Sequence, residues 1–543
     1  MTARRLGLIS LCAWMLALLP VSTIAQSSVP PLRKGKVLTA QEMSERIDAR
    51  MEARWKEEGI KPAPLANDME FLRRAFLDLQ GRIPIVREIH DFVDDSSSDK
   101  RARMVEFVMK KPAFTNHLAA AWRNAILPQS NDRLVATYAG QIENWLRGHF
   151  ANDKNTPFDE MVRELLTAPV TFQRGGNRQY NASALGFYQA NLLKPEDIAA
   201  SASRLFMGVR LECAQCHDHP FNVYTRTQFW EQAAFFAGLS PQRRFNGRPV
   251  GFQDKPEVHE ITIPGTKRVV KARFLDGEKP EWPKKNVNAR ETFADWLTSP
   301  KNPYFSKAIV NRFWEHFFGL GLVDPVDEMG EDNPGNFPKL LSEMADQFAK
   351  NKFDSRYLIR AITRSKAYQR TSAKTHKSQD DPLLFARMNL KGLTTSQLYQ
   401  SLLTATRFPD PSADRIMRGG VIGFGNTPAA EIQRKFANSA DKRTEFRTSI
   451  LQALTLMNGK LVSDATSLTR SETLASIVNM PLFSDTDKLE ALYLSALSRK
   501  PTKQELARLL PYVAKGGPSG DPKKAFADVF WALLNSSEFI LNH

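Results

Sequence analysis

Cysteine is scarce in this 543-residue chain: there are three, at positions 12, 213 and 216. So few thiols exclude a disulfide-stapled scaffold, which a chain able to bury a large core does not need. No apolar run after residue 25 is long enough to span a bilayer, which excludes a multi-span membrane protein. Runs of a single charge sign are missing too. The chain carries 75 Lys+Arg against 59 Asp+Glu, a net charge of +16. Its basic residues come in isolated pairs such as Lys110-Lys111, Arg243-Arg244 and Lys284-Lys285. That spread reads as a solvated basic surface, not a nucleic-acid footprint. A Gly-x-Ser-x-Gly elbow, a phosphate loop ending in Lys-Ser/Thr and a His-Glu-x-x-His pair are all absent. Hydrolase chemistry therefore has no positive signature. The 42% hydrophobic and 25% charged shares exclude wholesale disorder and collagen-like repeats.

The first 25 residues read as a signal peptide. Arg4 and Arg5 form a basic start, Leu6 to Leu19 an apolar centre too short to span comfortably, and Thr23 and Ala25 the small residues before a cut at Gln26. Export to the periplasm or cell envelope is expected, with no transmembrane helix after cleavage. Processing would remove Cys12 and lower the net charge by the two arginines. Only Cys213 and Cys216 would remain.

The rest predicts a mainly α protein of two large helical domains with a small β insertion between them. Residues 26–66 read as an exposed tether, over 26–40, and a first helix. An amino-terminal helical domain follows at 67–238, where Phe71, Ala75, Phe76 and Leu79 recur at helical spacing. In the insertion at 239–285, Val258 to Ile263 and Val269 to Phe274 read as two strands around Pro264-Gly265-Thr266. The carboxy-terminal domain opens with helices at 286–406, passes through a Gly- and Pro-rich stretch at 407–448 and ends in helices at 449–543. A faint echo links Phe76-Leu77…Arg82-x-Pro84-x-x-x-Glu88 to Tyr493-Leu494…Arg499-x-Pro501-x-x-x-Glu505. Duplication explains it, and so does the frequency of helix–Pro–helix corners.

The strongest chemical signal is Glu212-Cys213-Ala214-Gln215-Cys216-His217-Asp218-His219-Pro220. Cys-x-x-Cys-His is the attachment sequence of c-type haem: two thiols bind the porphyrin and the adjacent imidazole ligates the iron. On this reading Cys213, Cys216 and His217 bind haem c. Two alternatives stay open. Exported thiols tend to oxidise, so Cys213 and Cys216 could form a disulfide. Zinc or another transition metal could take Cys213, Cys216 and His219 with a remote His, and the density of His217 and His219 keeps a metal site in play. Conceivable sixth ligands for a haem iron are Met207, His219, His259, His316 and Met329, with core packing preferred for Met207.

A second segment, Val310 to Leu322, places Arg312, Glu315 and His316 within one helical turn of each other. Arg312 and His316 are secondary candidates for holding a ligand or propionate. The aromatic residues Phe313, Trp314, Phe317 and Phe318 favour a buried helix with internally paired polar groups. The acidic stretch Asp324, Asp327, Glu328, Glu331, Asp332 lacks the register of a calcium loop and reads as a solvated loop.

Together these blocks resemble the large exported proteins abundant in planctomycetes that pair two domains of unknown function. The resemblance is carried by FLRRAFLDLQGRIP (71–84), PFDEMVRELLTA (157–168) and GVRLECAQCHDHPFNVYTRTQFWEQAAFFAG (208–238). In the carboxy-terminal half it is carried by FADWLTSPKNPYFSKAIVNRFWEHFFGLGLVDPVDE (293–328), LIRAITRSKAYQRTS (358–372), QALTLMNG (452–459), ALYLSALSRKPTKQE (491–505) and WALLNSSEFILNH (531–543). It implies that Cys213, Cys216, His217 and His219 form a cofactor or metal motif, and it implies no settled activity. Phe337 stands where relatives often have His. The function expected from all this is that of an exported c-type haem protein with an electron-transfer or redox role, serving an unnamed redox partner or envelope component. The alternative is a non-haem metal-binding or disulfide-stabilised envelope protein linked to polysaccharide breakdown.

Overall fold

The computed structural model describes residues 29–543 other than 31, 34, 128–132, 152, 170–181, 221, 246–247, 284, 286 and 410–458. The expected signal peptide at 1–25 and nearly all of the expected loop-rich stretch at 407–448 lie outside the described residues. What is described is mainly helical, with three small two-stranded sheets. No described helix is long and apolar enough to cross a membrane.

The expected helices form, most of them longer than their apolar stripes. The helix Pro112–Ile126, for example, opens on Pro112, whose fixed φ suits a first turn. The tether is partly docked. Leu38 is buried, its N–H donates to Gln347 Oε1 at 2.7 Å, and the helix Ala40–Glu57 starts on a Thr39/Glu42 capping box. The insertion holds two hairpins. Glu260–Thr262 pairs antiparallel with Val269–Lys271, within the expected strands, and Leu239–Phe245 pairs with Arg248–Asp254, which was not anticipated.

The insertion does not separate two cores. One hydrophobic cluster runs from Leu38 to Met388, joined by Leu494, and takes in the amino-terminal helices, the insertion and the helices Ala289–Leu297, Phe305–Phe318 and Pro338–Lys350. The second runs from Leu393 to Phe539, joined by Leu77 and Ile83, over the helices Thr395–Thr406, Asp485–Leu497, Lys503–Ala514 and Pro522–Leu534.

The helix Asp68–Gln80 is the wall between them. Asn67 caps its start and Gly81, at φ 69°, ends it in the left-handed conformation. Its Phe71, Ala75, Phe76 and Leu79 face the first core, while Leu77 joins the second. Being covered on all sides, it also buries Arg73, Arg74 and Asp78. A short ladder closes the junction, with Lys391 opposite Asn542 and Gly392 opposite Leu541.

Candidate functional site

The cysteine motif begins where the helix Pro195–Met207 stops. Gly208 ends that helix at φ +66°, a conformation glycine adopts without steric cost. Its carbonyl accepts the Met329 N–H at 2.8 Å, and Val209 bridges to Glu328. The chain then makes a 3-10 turn, Glu212–Gln215, with Ala214 fully buried as its anchor. Cys213 lies in this turn and Cys216 directly follows it, both exposed and both free thiols.

The return of the loop is held by the helix Arg226–Ala233. The Gln215 carbonyl accepts Trp230 Nε1 at 3.0 Å and Arg226 Nε at 3.3 Å. Asp218 Oδ1 accepts the Arg226 N–H at 2.8 Å, and the His219 N–H donates to the Tyr224 carbonyl at 2.8 Å. His217 is exposed, with Nδ1 2.7 Å from the Asp218 carbonyl oxygen. A carbonyl only accepts, so Nδ1 carries the hydrogen. In the neutral ring this leaves Nε2 as a lone-pair donor, the tautomer a metal ligand needs.

The acidic stretch is not simply solvated. Asp327 is buried and pairs with Arg312, and with Arg204 at 3.5 Å. Burial pulls the Arg204 guanidinium below its usual range, and Asp327 acts against that. Glu328 pairs at the surface with Arg210 at 3.3 Å. This stretch flanks the motif on two sides. A Cβ on Gly208 would lie 3.0 Å from Met329 Sδ, and one on Gly330 would lie 3.1 Å from Asn222 Nδ2. Beneath it, burial and the neighbouring Tyr304 push the Tyr224 phenol up.

The remaining candidates are used elsewhere. Arg312 donates to the Leu205 and Arg204 carbonyls at 3.0 and 2.8 Å as well as to Asp327, so it ties the motif's helix to its own. His316 brings Nε2 to the Asp78 carbonyl at 2.9 Å and its ring to within 5.6 Å of His117. Arg312 and His316 thus do not form one ligand-holding pair. Met207 is core, as preferred, with its sulfur accepting from Gln232 at 3.5 Å. His259 Nδ1 donates to the Glu257 carbonyl and its ring lies 4.3 Å from Trp282. Among the described residues no three His, Cys, Asp or Glu side chains are gathered to hold a metal ion, so Cys213, Cys216 and His219 do not stand as a preformed zinc set. Phe337 is buried and packs near Phe385, ahead of the helix Pro338–Lys350.

One constellation has no signal in the sequence. Asp78, Lys391, Tyr368 and Asn542 meet in a buried polar cluster at the junction of the two cores. No spacing rule connects residues so far apart along the chain.

Residues 46–240 match a family model described as PSCyt2, a protein of unknown function (DUF1549), and residues 289–417 match PSD1, a protein of unknown function (DUF1553). The cysteine motif lies in the first match and the acidic stretch in the second. Neither the curated proteins nor the solved structures contain a match to this chain. The chain therefore carries two domains of unknown function, DUF1549 followed by DUF1553, and its Cys-x-x-Cys-His loop sits where they touch.

Proposed function

We infer that this is an exported c-type haem protein with an electron-transfer or redox role in the periplasm or cell envelope. The observation that carries the reading is the state of three donors. Cys213 and Cys216 are free and exposed, one within a 3-10 turn and the other at its end, and His217 Nδ1 meets a carbonyl, which leaves Nε2 to ligate. This donor set fits haem c: the two thiols would hold the porphyrin and His217 the iron. Bound there, haem would supply one-electron chemistry.

The chain's own contribution is positional. Arg226 and Trp230 clamp the Gln215 carbonyl, which fixes the turn carrying both thiols. The Asp218 carbonyl selects the His217 tautomer and restrains the ring. Exposure keeps both thiols within reach of attachment machinery outside the cytoplasm.

Protein matured with such machinery should show a Soret band, a pyridine haemochrome and a mass raised by one haem. Cys213→Ser with Cys216→Ser should abolish all three. A colourless product with two unmodified thiols overturns the proposal. A mass lower by two hydrogens would instead support the disulfide-stabilised envelope protein.

A further inference from the structure

Asp78, Lys391 and Asn542 reach the junction from three separate elements, and each is at most 1% exposed. Lys391 and Asn542 are direct partners across the antiparallel ladder. Lys391 Nζ and Asn542 Nδ2 both donate to the same oxygen, Asp78 Oδ1, each at 2.7 Å. The other carboxylate oxygen accepts the Tyr368 hydroxyl at 2.9 Å. Lys391 also donates to the Phe317 carbonyl. Polar packing explains the carboxylate and the ammonium, but it leaves Asn542 Oδ1 buried with no hydrogen-bond partner. An orphaned buried amide oxygen loses its hydration with nothing in return.

We propose that these residues form a self-modifying site in which Lys391 Nζ makes an amide bond to Asn542 Cγ and ammonia leaves. One proton passes from the Lys391 ammonium to the Asp78 carboxylate, cancelling two buried charges. The amine lone pair then adds to Asn542 Cγ. A half-turn of the side-chain amide brings Oδ1 to the Asp78 O–H, the donor it lacks, as negative charge builds on that oxygen. The Cγ–Nδ2 bond breaks. The departing nitrogen, turned away from Asp78, takes a hydrogen directly from the attacking amine. Amine and amide become a new amide and ammonia, Asp78 keeps its proton, and no oxidant or co-reactant is consumed. The surrounding apolar core, with Tyr368 against Phe317 and Phe71, keeps out the water that would hydrate the ions and compete as nucleophile. The product closes the chain between residues 391 and 542, which carry most of the second core, and narrows its unfolded ensemble.

The test is mass spectrometry of the full-length, folded protein. The wild-type chain should weigh less than its sequence by one ammonia, and a digest should yield a branched peptide joining Lys391 to Asn542. Asn542→Asp should give the same product by losing water. Lys391→Arg and Asp78→Asn should stay at full mass, and where either fails to fold the wild-type measurement decides alone. Folded wild type at full mass with only linear peptides overturns the proposal. So does a link from Lys391 to Asp78. Full cross-linking in Asp78→Asn removes Asp78 from the reaction and overturns the mechanism.

Discussion

Arg499 holds its surroundings as Arg82 does near the other end of the chain. Arg82 forks onto Glu88 at 2.7 and 2.9 Å, donates to the Ile83 carbonyl and stacks 5.1 Å over Phe76. Arg499 forks onto Glu505 at 2.9 Å twice, donates to the Lys500 carbonyl and stacks 5.3 Å over Tyr493. Each follows a left-handed residue, Gly81 or Ser498, that ends a 13-residue helix. Each glutamate also accepts the N–H before the next helix, from Ile85 or Thr502. The corner is one device used twice: a guanidinium ties the last turn of one helix to the first turn of the next.

Arg499 has the larger role of the two, because it also pairs with Glu538 at 2.7 Å. Arg499→Ala should destabilise the protein by about 1 kcal/mol, with the part-exposed pairs limiting the loss. Urea unfolding of the variant beside wild type measures it.

The same corner sets an acid dependence. Hydrogen bonds from Arg499, and then from Thr502, hold the Glu505 carboxyl down at about 2 against an ordinary 4.5. A carboxyl lowered on folding stabilises fully above its unfolded value and loses that stabilisation as pH falls through its folded value. The stability gap between wild type and Glu505→Gln should be full at pH 6 and shrink between about 4.5 and about 2. Unfolding midpoints across that window measure it, and a gap independent of pH contradicts it.

Asp327 is, among the described residues, the carboxylate that pairs with the buried Arg312 guanidinium. Asp327→Ala should cost about 3–5 kcal/mol, because removing one partner strands the other charge. The exposed Asp332→Ala, in the same stretch, should stay within about 0.5 kcal/mol. Equal effects in thermal unfolding would show that burial of the pair does not matter.

Gly208→Ala forces a side chain onto φ +66° and against Met329. A destabilisation of about 1–3 kcal/mol is expected, visible in chemical denaturation. Under the proposed haem c reading, the variant should also carry less haem per chain, because the turn bearing Cys213 hangs from this residue.

Much of the fold was legible because helices advertise themselves locally. The Phe71–Leu79 stripe and the Arg-x-Pro corners both act within a few residues. The Cys213–His217 motif was legible for the same reason. Burial of Leu38 has no local signal, because its partner Gln347 is remote in sequence. Asp327 reads as solvated because nothing nearby in sequence announces Arg204 or Arg312.

By itself the amino-acid order determined the helices, their caps and the grouping of two thiols with an imidazole, since each follows from backbone hydrogen bonds and side-chain periodicity over one or two turns. Only the tertiary structure decided which charges lie inside. Asp78, Lys391 and Asn542 become neighbours because two cores close on opposite sides of one helix, and burial is a sum over contacts that no short stretch of chain contains.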